Sequence, residues 1–402
     1  MSIFVAIVGL GLLILIHEAG HFFVSLAVGL RPRKFYIGFP PALVRIKKRG
    51  IEYGVGVIPL GGFVSIPGMH RPIPHDAERR FSPAVSETPA LGGPVDRVKR
   101  ALESGDVDAG VAALDDFEHS MRQRKLSPGA ATVAAKGLTE LRDALGPDAY
   151  WKAPTWKRLV VIAAGPVANI VLSIILFALL YMTVAATPSQ TIASVIADSP
   201  AAAAGLRSGD RVVAIDGAQV SGDGLGKKIN GSQGKSLTIT VVRDGQEVTL
   251  PPVAPERTGE GYRLGIVRKG VALSPLAAVK RSFEVTGILS REIVKSLGRL
   301  VTSEGREQVA SPIGITQASS DAVERGVGNY VWVLGVISLS LALLNLLPLL
   351  PLDGGHILFT LIEGARGKFV RREVYERVSV VGLAIVLLLF FVGVSNDIGR
   401  LS

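Results

Sequence analysis

Four long apolar blocks organise the chain. Ile3 to Leu30 is interrupted only by His17, Glu18 and His21, and Leu159 to Ala186 carries no charge. Residues 326–352 are also uncharged, and Val378 to Ser395 is rich in Leu and Val. A helix needs roughly 20 such residues to cross a bilayer, so the pattern predicts four spans. Between the first and second blocks, residues 31–70 break into short β-prone runs: Tyr36-Ile-Gly-Phe, Ala42-Leu-Val-Arg-Ile and Tyr53-Gly-Val-Gly-Val-Ile. They predict a small membrane-associated sheet, with Tyr53–Ile58 as the candidate edge for strand addition.

Polar patterning fills the remainder. Residues 70–94 are polar and proline-rich, and Val95 to Leu145 alternates like two or three amphipathic helices, a helical insertion without a readable motif. His75 and His119 have no partners at ligand spacing. Residues 187–270 predict an α/β module: strands at Thr191–Val195, Arg211–Ile215 and Leu237–Val242, helices at Ser199–Ala204 and Leu225–Asn230, and a hairpin turning at Asp244-Gly245. Its Ser-Pro-Ala…Ala-Gly-Leu…Gly-Asp string resembles one PDZ module. An amphipathic connector, 271–325, leads to the third span.

Composition agrees with a membrane location. Charged residues make up 19% of 402, below the roughly 25% of soluble domains. The absence of cysteine excludes disulfides, thiolate metal sites and cysteine nucleophiles. The net charge of +10 is concentrated beside the apolar blocks, at 31–49, 152–158 and 366–377, so it reads as topology and not as a nucleic-acid footprint. The positive-inside rule assigns those segments to the cytoplasm, and with them the sheet and insertion. The 187–325 segment then lies outside. The first block, lacking a basic start and holding a polar cluster, fits a retained span better than a signal peptide.

The chemistry lies in the first span. In His17-Glu18-Ala19-Gly20-His21 the histidines share one helix face and can converge on one ion, with Glu18 within reach of a water there. Ionisable residues inside a span are costly and mark function. A zinc enzyme needs a third protein donor. Asp353 is the first charged residue after Arg325, and it stands in Asn345-Leu-Leu-Pro-Leu-Leu-Pro-Leu-Asp353-Gly-Gly-His356. His356, three residues on, is the competing donor or an outer-sphere group.

Taken in order, these motifs, with Pro59-Leu-Gly-Gly-Phe-Val and Ala164-Gly-Pro-Val-Ala-Asn169, resemble the site-2 protease family of intramembrane zinc metalloproteases, in the bacterial regulator-of-sigma-E protease group. Residues 71–150 are not covered by the likeness, Pro40 stands where Gly is usual, and some relatives carry two PDZ modules.

The resemblance implies a multi-pass α-helical membrane protein of the bacterial inner membrane. Its four transmembrane helices would fall in 1–30, 155–186, 326–356 and 374–395. It would carry a cytoplasmic membrane-associated β-sheet (31–70), a cytoplasmic insertion (71–150) and one extracytoplasmic PDZ-like domain (187–270). It implies Zn²⁺ on His17, His21 and Asp353, near the cytoplasmic side, and Glu18 as general base and then proton donor. Asn345 and Asn169 would touch substrate or support the transition state, although Asn345 serves equally well as a helix cap. The expected partners are transmembrane protein substrates, anti-sigma factors or signal-peptide remnants among them, and the lipid bilayer. The PDZ-like domain would offer a further substrate contact. Nucleic acid is not expected. The competing readings are a non-proteolytic scaffold presenting the PDZ-like module, which needs no such ligand set, and a metal transporter, which expects polar residues along several spans.

Overall fold

A computed structural model describes residues 1–184, 187–258, 261–300, 302 and 311–401. Two compact units are resolved. One comprises residues 1–171, 292–321 and 337–402, and the other residues 172–291 and 322–336. Helices Ser2–Ala27, Thr155–Thr183, Val327–Asn345 and Arg372–Gly399 are each long and apolar enough to cross a membrane. Their outer faces present side chains such as Val380, Leu388 and Phe391, each more than 60% exposed. Such faces suit lipid as solvent, since a helix satisfies its own backbone there.

In the first unit, β1 (Lys34–Lys48) and β2 (Ile51–Ser65) form an antiparallel hairpin. Its turn, Arg49-Gly50, has both φ angles positive, at 52° and 82°, as a tight hairpin requires. Each strand bends, so Phe35 pairs with both Tyr53 and Val64, and Ile46 pairs with Tyr53. Four segments result, in the order 62–65, 34–37, 52–55, 44–48. The edges are therefore 62–65 and 44–48, and Tyr53–Val55 is central. This corrects the expected edge: Gly38, at φ 82°, and the other glycines bend long strands where three short ones were expected. The side chains of residues 39–40 and 58–61, part of the two sheet motifs, lie outside the described set.

Pairing also sorts the sheet's faces. Phe35, Ile37, Val44, Ile46, Tyr53 and Val55 share one face, and Lys34, Arg45, Lys47 and Glu52 the other. The apolar face meets the first span, where the ring of Phe22 lies 4.8 Å from that of Phe35.

Residues 71–150 hold four helices, Pro74–Glu87, Gly92–Ser104, Val107–Arg122 and Pro128–Leu145. The polar, proline-rich stretch from 70 is helical over Pro74–Glu87. Pro74 occupies the first turn, where its missing N–H costs nothing, and Asp76 accepts the Ile73 N–H at 3.0 Å. Ala77, Phe81 and Ala84 then share one buried face despite Pro83, and the Phe81 ring stacks 4.1 Å from that of Phe117.

Within the expected 326–356 the helix is broken, as Pro348 and Pro351 predict. The third span's helix ends at Asn345, and Asp353 opens a separate helix, Asp353–Arg366. The intervening prolines prevent a continuous ladder. Gly382 of the fourth span lies directly against the Leu350 carbonyl, where no side chain would fit.

In the second unit, strands run in the order Ile266–Val271, Thr187–Val195, Arg211–Ile215, Ile239–Arg243, Gln246–Thr249. Ile192, Val212, Leu225, Ile239 and Leu264 form its core, with short helices Pro200–Ala203 and Gly222–Gly231 alongside. The Asp244-Gly245 turn has φ angles of 49° and 82°, as its sequence predicts. Of the 271–325 connector, Pro275–Arg299 and Pro312–Glu324 are helical, while 301 and 303–310 lie outside the described residues. In the first unit, Asp397 near the end of the fourth span accepts the backbone N–H groups of Ser311, at 2.8 Å, and Gly314, at 3.0 Å.

Asp210 is buried and takes both oxygens to Arg243, each at 2.8 Å, while accepting the Arg207 N–H. The guanidinium holds its carboxyl below the usual carboxylate range. A lowered folded-state pKa contributes stability above the ordinary value and loses it as pH falls through the lowered one. Asp210→Ala should thus destabilise this unit by about 2 kcal/mol at neutral pH. Denaturation at pH 7 and near pH 3 should show the gap between wild type and variant narrowing in acid.

Candidate metal centre

His17 and His21 stand one turn apart on the first span, their Nε2 atoms 3.3 Å from one another. Oδ2 of Asp353 lies 3.1 Å from Nε2 of His17 and 3.5 Å from that of His21. No other group of three or more His, Asp or Glu among the described residues could hold a metal ion. A tetrahedral zinc with bonds of about 2.0–2.1 Å separates its donors by about 3.3 Å, so the spacing fits.

The proton arrangement fits as well. His21 Nδ1 donates to the Val161 carbonyl at 2.8 Å, and a carbonyl can only accept. That fixes the tautomer and leaves Nε2 with a free lone pair, the usual outer-sphere device of a metal-ligating histidine. With His17 in the same tautomer, two imine nitrogens and a carboxylate oxygen point at one small volume. Three acceptors so placed repel one another unless a cation lies among them.

Glycines make the volume possible. A Cβ on Gly165 of the second span would sit 2.8 Å from His17 Nε2 and closer still to that of His21. One on Gly20 would sit 2.5 Å from the Ala164 carbonyl oxygen, so the two spans touch backbone to backbone there. Gly354 and Gly355, both buried, tuck the start of the Asp353 helix under the 346–350 carbonyls.

Glu18 faces the sheet. Gly62 lies so close that a Cβ there would meet the Glu18 side chain. The sheet edge 62–65 thus runs beside the ligand cluster.

The other candidates fall elsewhere. His356 is outside the cluster, and its Nδ1 meets the Tyr375 hydroxyl. Asn345 donates to the Leu341 carbonyl at 3.0 Å, closing the end of its own helix. Asn169 is fully buried on the second span. Its amide atoms have no partner, while its carbonyl accepts the Ser338 hydroxyl at 2.9 Å. The Val161 carbonyl was missed from sequence, whereas Gly165 stands in the Ala164-Gly-Pro-Val-Ala-Asn169 motif already placed near the site.

A two-histidine, one-aspartate cluster on apolar helices, with a glutamate beside it, defines a membrane-embedded metallopeptidase. The family model for peptidase family M50 matches residues 5–389, and the chain belongs to that family, the site-2 protease type of zinc metalloendopeptidase. It is similar to the zinc metalloprotease RasP of Geobacillus kaustophilus, at 30% identity over 99% of this chain and 98% of the relative. RasP of Bacillus licheniformis is 30% identical over 97% of both chains. The regulator of sigma-W protease RasP of Bacillus subtilis is 28% identical over 97% of this chain and 96% of its own.

Metal analysis of purified variants tests the cluster. Asp353→Ala and Gly165→Val should each strip the bound zinc to a small fraction of wild type, the first by deleting a donor and the second by filling the ion's space. His356→Ala should keep it. Full zinc in Asp353→Ala with depletion in His356→Ala would reverse the assignment.

Proposed function

We propose that the protein is an intramembrane endopeptidase that cuts transmembrane segments of membrane-protein substrates, releasing signalling or signal-peptide fragments. The observation that carries the reading is the placement of Glu18 between the His17/His21/Asp353 cluster and the sheet edge 62–65. Zinc held by those three residues would supply Lewis-acid polarisation of the scissile carbonyl and of the attacking water. Glu18 takes the proton from that water and passes it to the leaving amine nitrogen.

A helical peptide bond hides its carbonyl in the helix ladder, so the substrate must unwind before it is cut. The edge 62–65 offers unpaired backbone groups to the unwound piece, and addition there brings its carbonyls next to Glu18. Gly62 keeps that approach clear of side chains. Asn169, buried with a free amide, is the better candidate to touch substrate, whereas Asn345 is engaged as a helix cap.

The basic segments favour a site toward the cytoplasm and a 187–270 domain outside, where its PDZ-like string suits contact with the substrate's outer portion. Proteolysis of regulatory membrane proteins follows the sigma-W relative, whose name says that it is a regulator of sigma-W.

Glu18→Gln should retain zinc and lose at least about a hundredfold in cleavage of a transmembrane model substrate, the scale of a general base. Wild-type turnover by that variant sinks the reading. Val64→Pro removes an N–H from the edge strand that runs beside Glu18. It should cost cleavage more than about tenfold with metal content intact, and unchanged cleavage would rule out addition at this edge.

A further inference from the structure

Beyond Ser65 the chain leaves the sheet edge and becomes the floor of a cleft of about 560 Å³. The floor is fixed from below: the Tyr150 and Trp151 N–H groups donate to the carbonyls of Pro67, at 2.9 Å, and Gly68, at 3.0 Å. The sheet's polar face forms one wall and the helical insertion the other. The walls are tied together. Arg33, at the start of the sheet, donates to Asp143 at 2.9 Å and to Asp148 at 2.8 Å. Arg372 grips both oxygens of Asp76 at 2.6 and 2.7 Å.

Six Lys and Arg side chains and four carboxylates line the cleft. The carboxylates are all engaged: Asp143 by Arg33, Asp76 by Arg372, Glu140 by Arg80 and Glu52 by the Tyr36 hydroxyl. The cations outnumber them by two: Lys136 shares Glu140 with Arg80, at 4.0 Å, and Lys47 has no ion-pair partner among the described residues. One belongs to each wall. The cleft therefore offers uncompensated positive charge along a path continuous with the edge 62–65.

We propose that this cleft is an exosite that takes the acidic, extended cytoplasmic flank of the substrate's transmembrane segment, with Lys47 and Lys136 as its charge-reading residues. The proposal rests on the peptidase reading and on addition at the 62–65 edge. A strand added there, in either direction, projects one end along Ser65 toward Gly68 and into the cleft. The insertion then has a role in specificity: without it the flank would run into solvent along one wall only.

The test uses two substrates with one transmembrane segment and cytoplasmic flanks rich in Glu or in Lys, and a third with no flank. The wild-type protein should cleave the Glu-flanked substrate about five- to tenfold more efficiently in kcat/KM than the Lys-flanked one, the scale of two exposed ion pairs. The Lys47→Glu/Lys136→Glu protein should erase or invert that ratio while cutting the flankless substrate as before. An unchanged ratio overturns the exosite, and cleavage of the flankless substrate by wild type but not by Glu18→Gln upholds the peptidase reading regardless. A photocrosslinker in place of Lys136 in the full-length Glu18→Gln protein gives a readout free of turnover. Crosslinking to the Glu-rich flank supports the proposal, and crosslinking equal to that of the Lys-rich flank, or none, overturns it.

Discussion

Three ligand-type atoms within 3.5 Å of one another, among apolar helices, need positive charge between them, a metal ion or a shared proton. Much of the rest of the first unit follows from that constraint. The second span must come close enough to give His21 a carbonyl, which it does at Val161, yet leave the ion room, which it does at Gly165. Asp353 must arrive at the depth of the histidines, so the third span stops at Asn345 and a new helix begins at the aspartate itself. Close backbone approaches at Gly20, Gly354, Gly355 and Gly382 hold these pieces at the required separation.

What was legible in the sequence was local. The four spans could be read because an apolar run needs no partner to be recognised, and His17, Glu18 and His21 because helical periodicity alone puts the histidines on one face. Asp353 was legible as a lone carboxylate after a long uncharged stretch. The tight turns at Asp244-Gly245 and within the 187–270 module followed from residues that tolerate positive φ.

What was not legible depended on pairing across distance. Tyr53–Val55 has the composition of an edge or a central strand alike; only the bending of both strands put it in the middle and 62–65 outside. The helix at Pro74–Glu87 was hidden because its prolines look like breakers, and only the packing of Phe81 on Phe117 makes the segment worth ordering. The partner of His21 is a backbone carbonyl, a group that every residue carries and no motif can name.

The separation of the ligands along the chain has a consequence for biosynthesis. His17 and Asp353 lie 336 residues apart, the first in the earliest span and the second behind the third. On the proposed assignment, Glu18 and two of the three donors are synthesised long before the last donor exists. A nascent chain would then hold an incomplete ligand set until Asp353 is made. On that assignment the order of synthesis would delay hydrolysis, and a product truncated before Asp353 would lack a complete ligand set.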